Sequence, residues 1–285
     1  MDKIGEYIQR IEIDSLWSGQ KHIVWDLHRK VNILSGVNGV GKSTILNRVV
    51  SRLLQISENE VPLKSEVNIT YYPQDATAIR FDVIRSFDRP LIQSGLLEKL
   101  ADNRVATELD WQLYLLQRRF LDYQVNIGNR MIEMLTSGDP EAREMAQQAA
   151  MARVQFQDMV DELFSETGKK IVRTSNEIQL EQYGEILSPY KLSSGEKQIL
   201  VILLTVLVQD RQPYVLFMDE PEISLHVEWQ QKLINLIMRV NPNVQIILTT
   251  HSPALIMNGW MDAVTEVTDI TSGWYSCSLP CPPPP

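Results

Sequence analysis

The segment from Gly36 to Ser43 constrains this chain most, because it fits the pattern G-x-x-x-x-G-K-S in full. Glycines at this spacing let the backbone wrap around a polyphosphate, and a helix that follows adds the partial positive charge of its N-terminus. A short apolar run, VNIL, precedes the pattern, and a helical segment from about Lys42 to Leu54 follows it. The sequence therefore predicts a phosphate-binding loop between a strand and a helix.

The polar residues of this loop have separate expected tasks. We expect Lys42 to bind the β- and γ-phosphates of a polyphosphate ligand, and we expect the Ser43 hydroxyl to ligate Mg²⁺. The remaining residues of the expected phosphate-binding set are Gly36, Asn38, Gly39, Gly41 and Thr44. The competing interpretation is a glycine-rich strand-to-helix turn that carries a lysine by chance.

Two further buried strands are predicted to end in polar side chains. The run YVLFM leads into Asp219 and Glu220, and a second apolar run leads into TTHSP, which contains His251. Because the carboxyl ends of parallel strands meet at one edge of a sheet, we expect these residues to lie close together. Asp219 would hold Mg²⁺ through water, Glu220 would polarise the attacking water, and His251 would hydrogen-bond the γ-phosphate.

Each of these motifs also has a purely structural interpretation. Asp219 and Glu220 are equally typical of a solvated acidic turn, and His251 of a capped turn before a short helix. In LSSGEKQ, Ser193 and Glu196 have the spacing of a capping box, although an exposed helix N-terminus flanked by Ser and Gly is also an anion site.

The order of the four motifs, P-loop, LSSGEKQ, FMDEPE and TTHSP, resembles that of the ABC-type ATPases. The resemblance covers about residues 4–75 and 170–268. It implies that Lys42 and Ser43 form Walker A, that Asp219 is Walker B, that Glu220 is the catalytic glutamate, and that His251 is the switch histidine.

The same resemblance implies roles for three residues outside the strand ends. Ser193 and Gly195 would be signature residues that act on ATP held by a second subunit. Gln74, in YYPQ, would be the Q-loop glutamine that binds the metal and couples it to the helical insertion. His226 matches the LH pair of the group that this sequence resembles, but neither the resemblance nor its place near a helix start gives it a catalytic role.

The departures from transporter sequences indicate one branch of this family. Here LSSGE replaces LSGGQ, and DEPExxLH with THSP is similar to the AAA-15/AAA-21 group of ATPases. That group includes the overcoming-lysogenization-defect ATPases and ATPase subunits of bacterial anti-phage systems, and it is akin to the RecF and SMC heads. The alternatives are a nucleotide-binding subunit of an ABC transporter and a scaffold that binds ATP with little turnover.

A helical block interrupts the α/β pattern. Apolar residues recur at spacings of three and four on both sides of a break at TSGDP, which predicts a helical hairpin with a heptad seam. The first half of this seam consists of Leu109, Leu113, Leu116, Phe120, Tyr123, Ile127, Met131 and Met134. Two arrangements stay open, an arm that protrudes from the head and a pair of helices packed flat on it.

Together these patterns predict an α/β P-loop NTPase head of the ABC type with an inserted α-helical hairpin arm. The head is expected in residues 1–95 and 168–270, the helical or coiled-coil insertion in residues 96–167, and a Pro-rich tail in residues 271–285. A composition with 44% hydrophobic residues and no long apolar run predicts a cytoplasmic protein with no membrane partner.

The expected partners follow from charge and from the resemblance. A net charge of −9 argues against a surface that coats nucleic acid, although a local nucleic-acid site is not excluded by it. The resemblance implies an ATP-dependent homodimer or larger homo-oligomer. Since few residues follow the last predicted strand, we expect nuclease or toxin activity from a separate effector protein.

Overall fold

The computed structural model describes residues 3–16, 21–58, 66–85, 105–136 and 140–273. In chain order, the strands are β1 (Ile4–Gly5), β2 (Tyr7–Leu16), β3 (Lys21–Asp26), β4 (Val31–Ser35), β5 (Val67–Tyr72), β6 (Ala78–Ile79), β7 (Phe81–Arg85), β8 (Lys169–Ile171), β9 (Leu180–Gln182), β10 (Glu185–Leu187), β11 (Tyr214–Asp219), β12 (Val244–Thr249), β13 (Val264–Glu266) and β14 (Thr271–Gly273). The helices are α1 (Lys42–Ser57), α2 (Glu108–Thr136), α3 (Pro140–Leu163), α4 (Ser194–Leu207), α5 (Val227–Val240) and α6 (Pro253–Met257).

A five-stranded parallel sheet lies at the centre, in the order β13-β4-β12-β11-β7. Its two central strands, β11 and β12, are buried almost throughout, as is usual for parallel strands covered on both faces. Helix α1 packs its apolar residues against one face, and the very apolar helix α4 belongs to the core on the other. The prediction of an α/β head is confirmed.

An antiparallel sheet, in the order β14-β3-β2-β5, lies beside the parallel one. The buried Gln245 joins the two sheets at the amino end of β12, because its side chain accepts a hydrogen bond from Ile8 N and donates one to Ile8 O, both at 2.8 Å. This contact fixes the distant N-terminal strands against the central sheet.

A third, small sheet is antiparallel, in the order β10-β9-β8. The sequence predicts strands at Lys170–Thr174 and Glu177–Glu181, but the structure has shorter ones that begin and end elsewhere. Residues 172–179 form the connection instead, closed by a hydrogen bond from Val172 N to Gln179 O at 2.9 Å.

Helices α2 and α3 pack against each other as the predicted hairpin. The first ends at Thr136 and the second begins at Pro140, which agrees with the helix break predicted at TSGDP. However, the seam residues from Leu109 to Ile127 are buried in the same core as β11, β12 and α4. Over this stretch the structure shows packing on the head, so the expectation of an arm that stands away from it is wrong there. Among the helices that the structure describes, none is long and apolar enough to cross a membrane.

Candidate nucleotide-binding site

Three parallel strands end side by side at the candidate site. In the sheet register, Asp219 at the end of β11 lies opposite Thr249 at the end of β12, and Thr249 lies opposite Leu34 near the end of β4. The loop that contains Gly36 leaves β4 at this edge, and His251 follows β12 by two residues. The carboxyl edge of the sheet thus brings the first, third and fourth motifs together, as predicted.

The loop after β4 requires glycine at two positions. Gly36 has φ +147°, and a Cβ there would lie 2.9 Å from Val40 Cγ1. Gly41 is the N-cap of α1 with φ +107°, a conformation that side chains disfavour. Asn38 and Gly39 are exposed in the same loop, and Thr44 is exposed on the first turn of α1.

Lys42 is folded back into this loop and is only 5% exposed. Its Nζ donates to Gly36 O at 2.9 Å and to Val37 O at 3.4 Å, and it lies 2.7 Å from His251 Nε2. Burial lowers the pKa of Lys42, while the charges of Glu220, Asp219 and Glu222 act in the opposite direction. Among the described residues, no carboxylate lies within ion-pair distance of Lys42.

Ser43 and Asp219 form a pair of oxygen ligands. The Ser43 hydroxyl donates to Asp219 Oδ1 at 2.9 Å, and Thr249 Oγ1 donates to the same carboxylate oxygen. A hydroxyl and a carboxylate at this separation suit Mg²⁺, which prefers oxygen ligands and keeps several positions for water and phosphate. The residues present therefore fit a nucleotide–Mg²⁺ complex.

Glu220 lies in the left-handed region with φ 47°, a conformation that residues other than glycine rarely adopt. Its backbone N–H donates to Thr249 O and Thr249 Oγ1, each at 3.1 Å. Its Oε1 lies 2.8 Å from His251 Nε2. Lys42 Nζ approaches the same ring nitrogen at 2.7 Å, so the tautomer of the ring decides whether Nε2 donates to Glu220 or accepts from Lys42.

The signature residues lie at the start of α4. Ser193 is the N-cap, its hydroxyl accepts from Glu196 N at 3.3 Å, and Glu196 Oε2 accepts from Ser193 N at 3.0 Å. The capping-box interpretation is confirmed. Gly195 is tightly packed, because a Cβ there would lie 2.4 Å from Ser224 O. Whether Ser193 and Gly195 also act on a partner's nucleotide stays a prediction.

Gln74 is the one predicted site residue that the strand order separates from the rest. It is exposed in the turn after β5, a strand of the antiparallel sheet. The strand beside β11 is β7, and its last residue, Arg85, lies opposite Asp219. Gln74 precedes β7 in the chain, and no hydrogen bond among the described residues joins it to Ser43 or Asp219. Its role as a metal ligand stays a prediction.

Residues 56–258 match the protein family described as "AAA domain, putative AbiEii toxin, Type IV TA system", also called AAA-21. The match covers well over half of the chain. This chain belongs to the AAA-21 family. It is therefore a P-loop ATPase, as the motifs predict.

The relatives of this ATPase include proteins of different systems. The Septu protein PtuA of Bacillus thuringiensis is 26% identical over an alignment of 307 positions. The alignment covers 87% of this chain and 72% of that protein. The retron Vc95 probable ATPase of Vibrio cholerae serotype O1 biovar El Tor is 33% identical over 113 residues, 35% of this chain and 22% of that protein. The phosphate import ATP-binding protein PstB of Thermococcus kodakarensis is 27% identical over 252 residues, with 84% and 79% covered.

The fold of this ATPase is similar to that of a solved SMC head. The crystal structure of the SmcHead bound to the C-winged helix domain of ScpA has a TM-score of 0.52 and 14% sequence identity, and the match covers 88% of this chain and 91% of that one. At this identity the likeness concerns the fold alone, and it confirms the predicted class of head domain.

Sequence reasoning missed two polar residues that shape this ATPase site. Thr249 contacts both Asp219 and Glu220, and Glu222 contacts the backbone of the loop that carries His251. The repeated Thr before His251 and the second Glu of DEPE were visible signals. Their roles depend on which strands become neighbours, which no spacing in the sequence reveals.

Proposed function

We propose that this chain hydrolyses ATP at the carboxyl edge of its parallel sheet and thereby switches a partner effector. The observation that carries the proposal is a set of contacts in which Glu220, His251 and Lys42 meet directly beside the Ser43–Asp219 pair. A general base, a hydrogen-bonding ring, a cation and metal ligands are thus placed within one small site.

Each residue has a chemical task in this proposal. Lys42 exchanges its loop carbonyl partners for phosphate oxygens, which compensate its buried charge. Glu220 accepts the proton of the attacking water, and His251 orients Glu220 and contacts the γ-phosphate. Ser43 and Asp219 hold Mg²⁺, which when bound neutralises charge on the phosphates.

We further propose that ATP joins two copies of the chain, with Ser193 and Gly195 of each facing the nucleotide of the other. Ser193 is exposed at the N-terminus of α4, a fourteen-residue helix, so its end is accessible to a second subunit. Hydrolysis would then separate the two heads and report the nucleotide state to the effector, a nuclease or toxin.

Support for a role in bacterial anti-phage defence comes from the relatives. A Septu protein and a retron ATPase are among them, and the family description itself names a toxin and a toxin–antitoxin system. The transporter relative supports ATP hydrolysis equally well. We favour defence because DEPExxLH and THSP here replace the transporter-type sequences.

The first test is the variant Glu220→Gln, which keeps the shape of the side chain and removes its basicity. Turnover should fall by about 10²- to 10⁴-fold, while ATP affinity stays within about threefold of wild type. Because ATP then persists, a dimer should accumulate in size-exclusion runs with ATP and Mg²⁺.

A matched control separates hydrolysis from dimerisation. Adding Ser193→Arg to Glu220→Gln should leave ATP binding intact and return the protein to a monomer, because the arginine blocks the surface that faces the partner. Full turnover in Glu220→Gln would refute its role as base. A monomer in both variants at saturating ATP would refute the proposed dimer.

A further inference from the structure

Glu222 is a buried carboxylate that the ATPase chemistry above does not use. It is 8% exposed, and its Oε1 accepts three hydrogen bonds from consecutive residues of the loop after β12. The donors are Thr250 Oγ1, His251 N at 2.9 Å and Ser252 N at 3.2 Å. The backbone on both sides of the His251 side chain is therefore attached to one oxygen.

Gln230 on α5 attaches the same loop at a second point. Its Oε1 accepts from Ser252 Oγ at 2.6 Å, and its Nε2 donates to Leu225 O at 2.8 Å and to Glu222 O at 3.4 Å. Glu222 and Gln230 thus connect the loop that carries His251 to the segment that follows Glu220.

The two oxygens of the buried Glu222 carboxyl group have different surroundings, because the hydrogen bonds of the loop all go to Oε1. Among the described residues it has no ion pair, and its Oε2 is buried without a hydrogen-bond partner. Burying a carboxylate in this way costs stability unless strong hydrogen bonds to the charged form offset the cost. Because a carboxylate oxygen accepts more strongly than an amide oxygen, the three hydrogen bonds to Oε1 hold this loop more firmly than a neutral side chain would.

We propose that Glu222 is a positioning residue that fixes the His251 ring between Glu220 and Lys42. The proposal rests on the assignment of His251 to catalysis made above. Without Glu222, the ring would keep its chemistry but lose its fixed direction towards the water and the phosphate. Misplacement of about 1 Å in such a site costs about a hundredfold in rate.

The test compares Glu222→Gln in the wild-type protein and in the His251→Ala variant. In the wild-type background, kcat should fall by about tenfold to a hundredfold with ATP affinity within about threefold. In the His251→Ala background, Glu222→Gln should change kcat by less than about twofold, since two residues that act as a unit are not additive.

A second measurement reports the loop directly. Hydrogen exchange at the His251 and Ser252 amides should become at least about tenfold faster in Glu222→Gln, because an amide oxygen accepts more weakly than a carboxylate. Gln245→Ala serves as the control, because it also removes a buried side chain that hydrogen-bonds to the backbone, but at the opposite end of β12. It should lower Tm and leave kcat and these two amides unchanged.

Two results would overturn the proposal. One is an equal loss of kcat from Glu222→Gln with and without His251, which means that Glu222 acts elsewhere. The other is unchanged exchange at His251 and Ser252. The Glu220→Gln variant is measured in parallel, so that hydrolysis by the proposed base is confirmed or refuted independently of Glu222.

Discussion

Two buried lysines show how differently this chain treats charge at its two motif regions. Lys42 in the phosphate-binding loop is 5% exposed, and Lys197 in the first turn of α4 is 8% exposed. Lys197 Nζ lies 2.7 Å from Asp110 Oδ1 at the start of α2, whereas Lys42 contacts carbonyl oxygens and an imidazole.

The start of α4 carries two buried ion pairs, Lys169 with Glu196 and Lys197 with Asp110. Glu196 accepts from Lys169 Nζ at 2.8 Å and closes the capping box with Ser193. Burial acts to raise the pKa of Glu196, but the hydrogen bonds from Lys169 and Ser193 outweigh it and leave the pKa below its usual value. Among the described residues, the Lys42 ammonium group has no carboxylate in ion-pair contact, which leaves its charge available to a ligand. The charged side chains at the start of α4 instead pair with one another and stabilise the local structure.

The largest expected effect concerns α2, the helix that contains Asp110, the ion-pair partner of Lys197. Phe120→Ala should lower the free energy of unfolding by about 3–5 kcal/mol, because the Phe120 ring is 1% exposed in the core shared with the head. Ile132→Ala, further along the same helix and 63% exposed, should change it by less than about 0.5 kcal/mol. Equal and small effects in urea denaturation would mean that α2 is an arm after all.

Lys197→Met tests how much the buried ion pair between Lys197 and Asp110 contributes to stability. Among the described residues, the variant leaves the buried Asp110 side chain with the N–H groups of Ala106 and Thr107 as its hydrogen-bond partners, so the free energy of unfolding should fall by about 3 kcal/mol. Adding Asp110→Asn should restore most of this loss. Lys170→Met, at an exposed lysine on β8, is the control and should lie within about 0.5 kcal/mol of wild type. A Lys197→Met protein as stable as this control would contradict the comparison.

A smaller effect is expected from the pH dependence of stability. Because the folded pKa of Glu196 is lowered, its contribution is present above the unfolded value near 4.5 and is lost as the pH falls through the folded pKa. Urea denaturation of wild type and Glu196→Gln over this acidic range should show the wild-type advantage shrinking as the pH decreases. If the difference in free energy of unfolding between wild type and Glu196→Gln stays constant across that range, the charge of the Glu196 carboxylate does not contribute to stability.

The placement of these motifs at the carboxyl edge of the parallel sheet was predictable from the sequence because each motif is local. The glycines between Gly36 and Ser43 determine the conformation of that loop locally. Asp219 is the last residue of a buried strand, so its carboxylate must lie at the carboxyl edge of the sheet. Parallel strands have only one carboxyl edge, so Asp219 and His251 had to meet there.

The remaining features depend on which elements become neighbours. Gln74 follows β5, which joins the antiparallel sheet, while β7 takes the place beside β11, and the sequence alone did not distinguish these two strands. Likewise, the seam of α2 has the same periodicity whether it faces a partner helix or the head. Periodicity reveals that a face is buried and leaves open what covers it.

The central claim, that the charge at the phosphate edge is kept for a nucleotide, is tested most directly by Lys42→Met. We predict that ATP affinity, measured by calorimetry, falls by at least about a hundredfold, since the phosphate charge loses its buried cation. In the same protein without nucleotide, the free energy of unfolding should stay equal or rise, because an uncompensated buried charge is removed. Undiminished ATP affinity, or a loss of stability as large as that of Lys197→Met, would contradict the account.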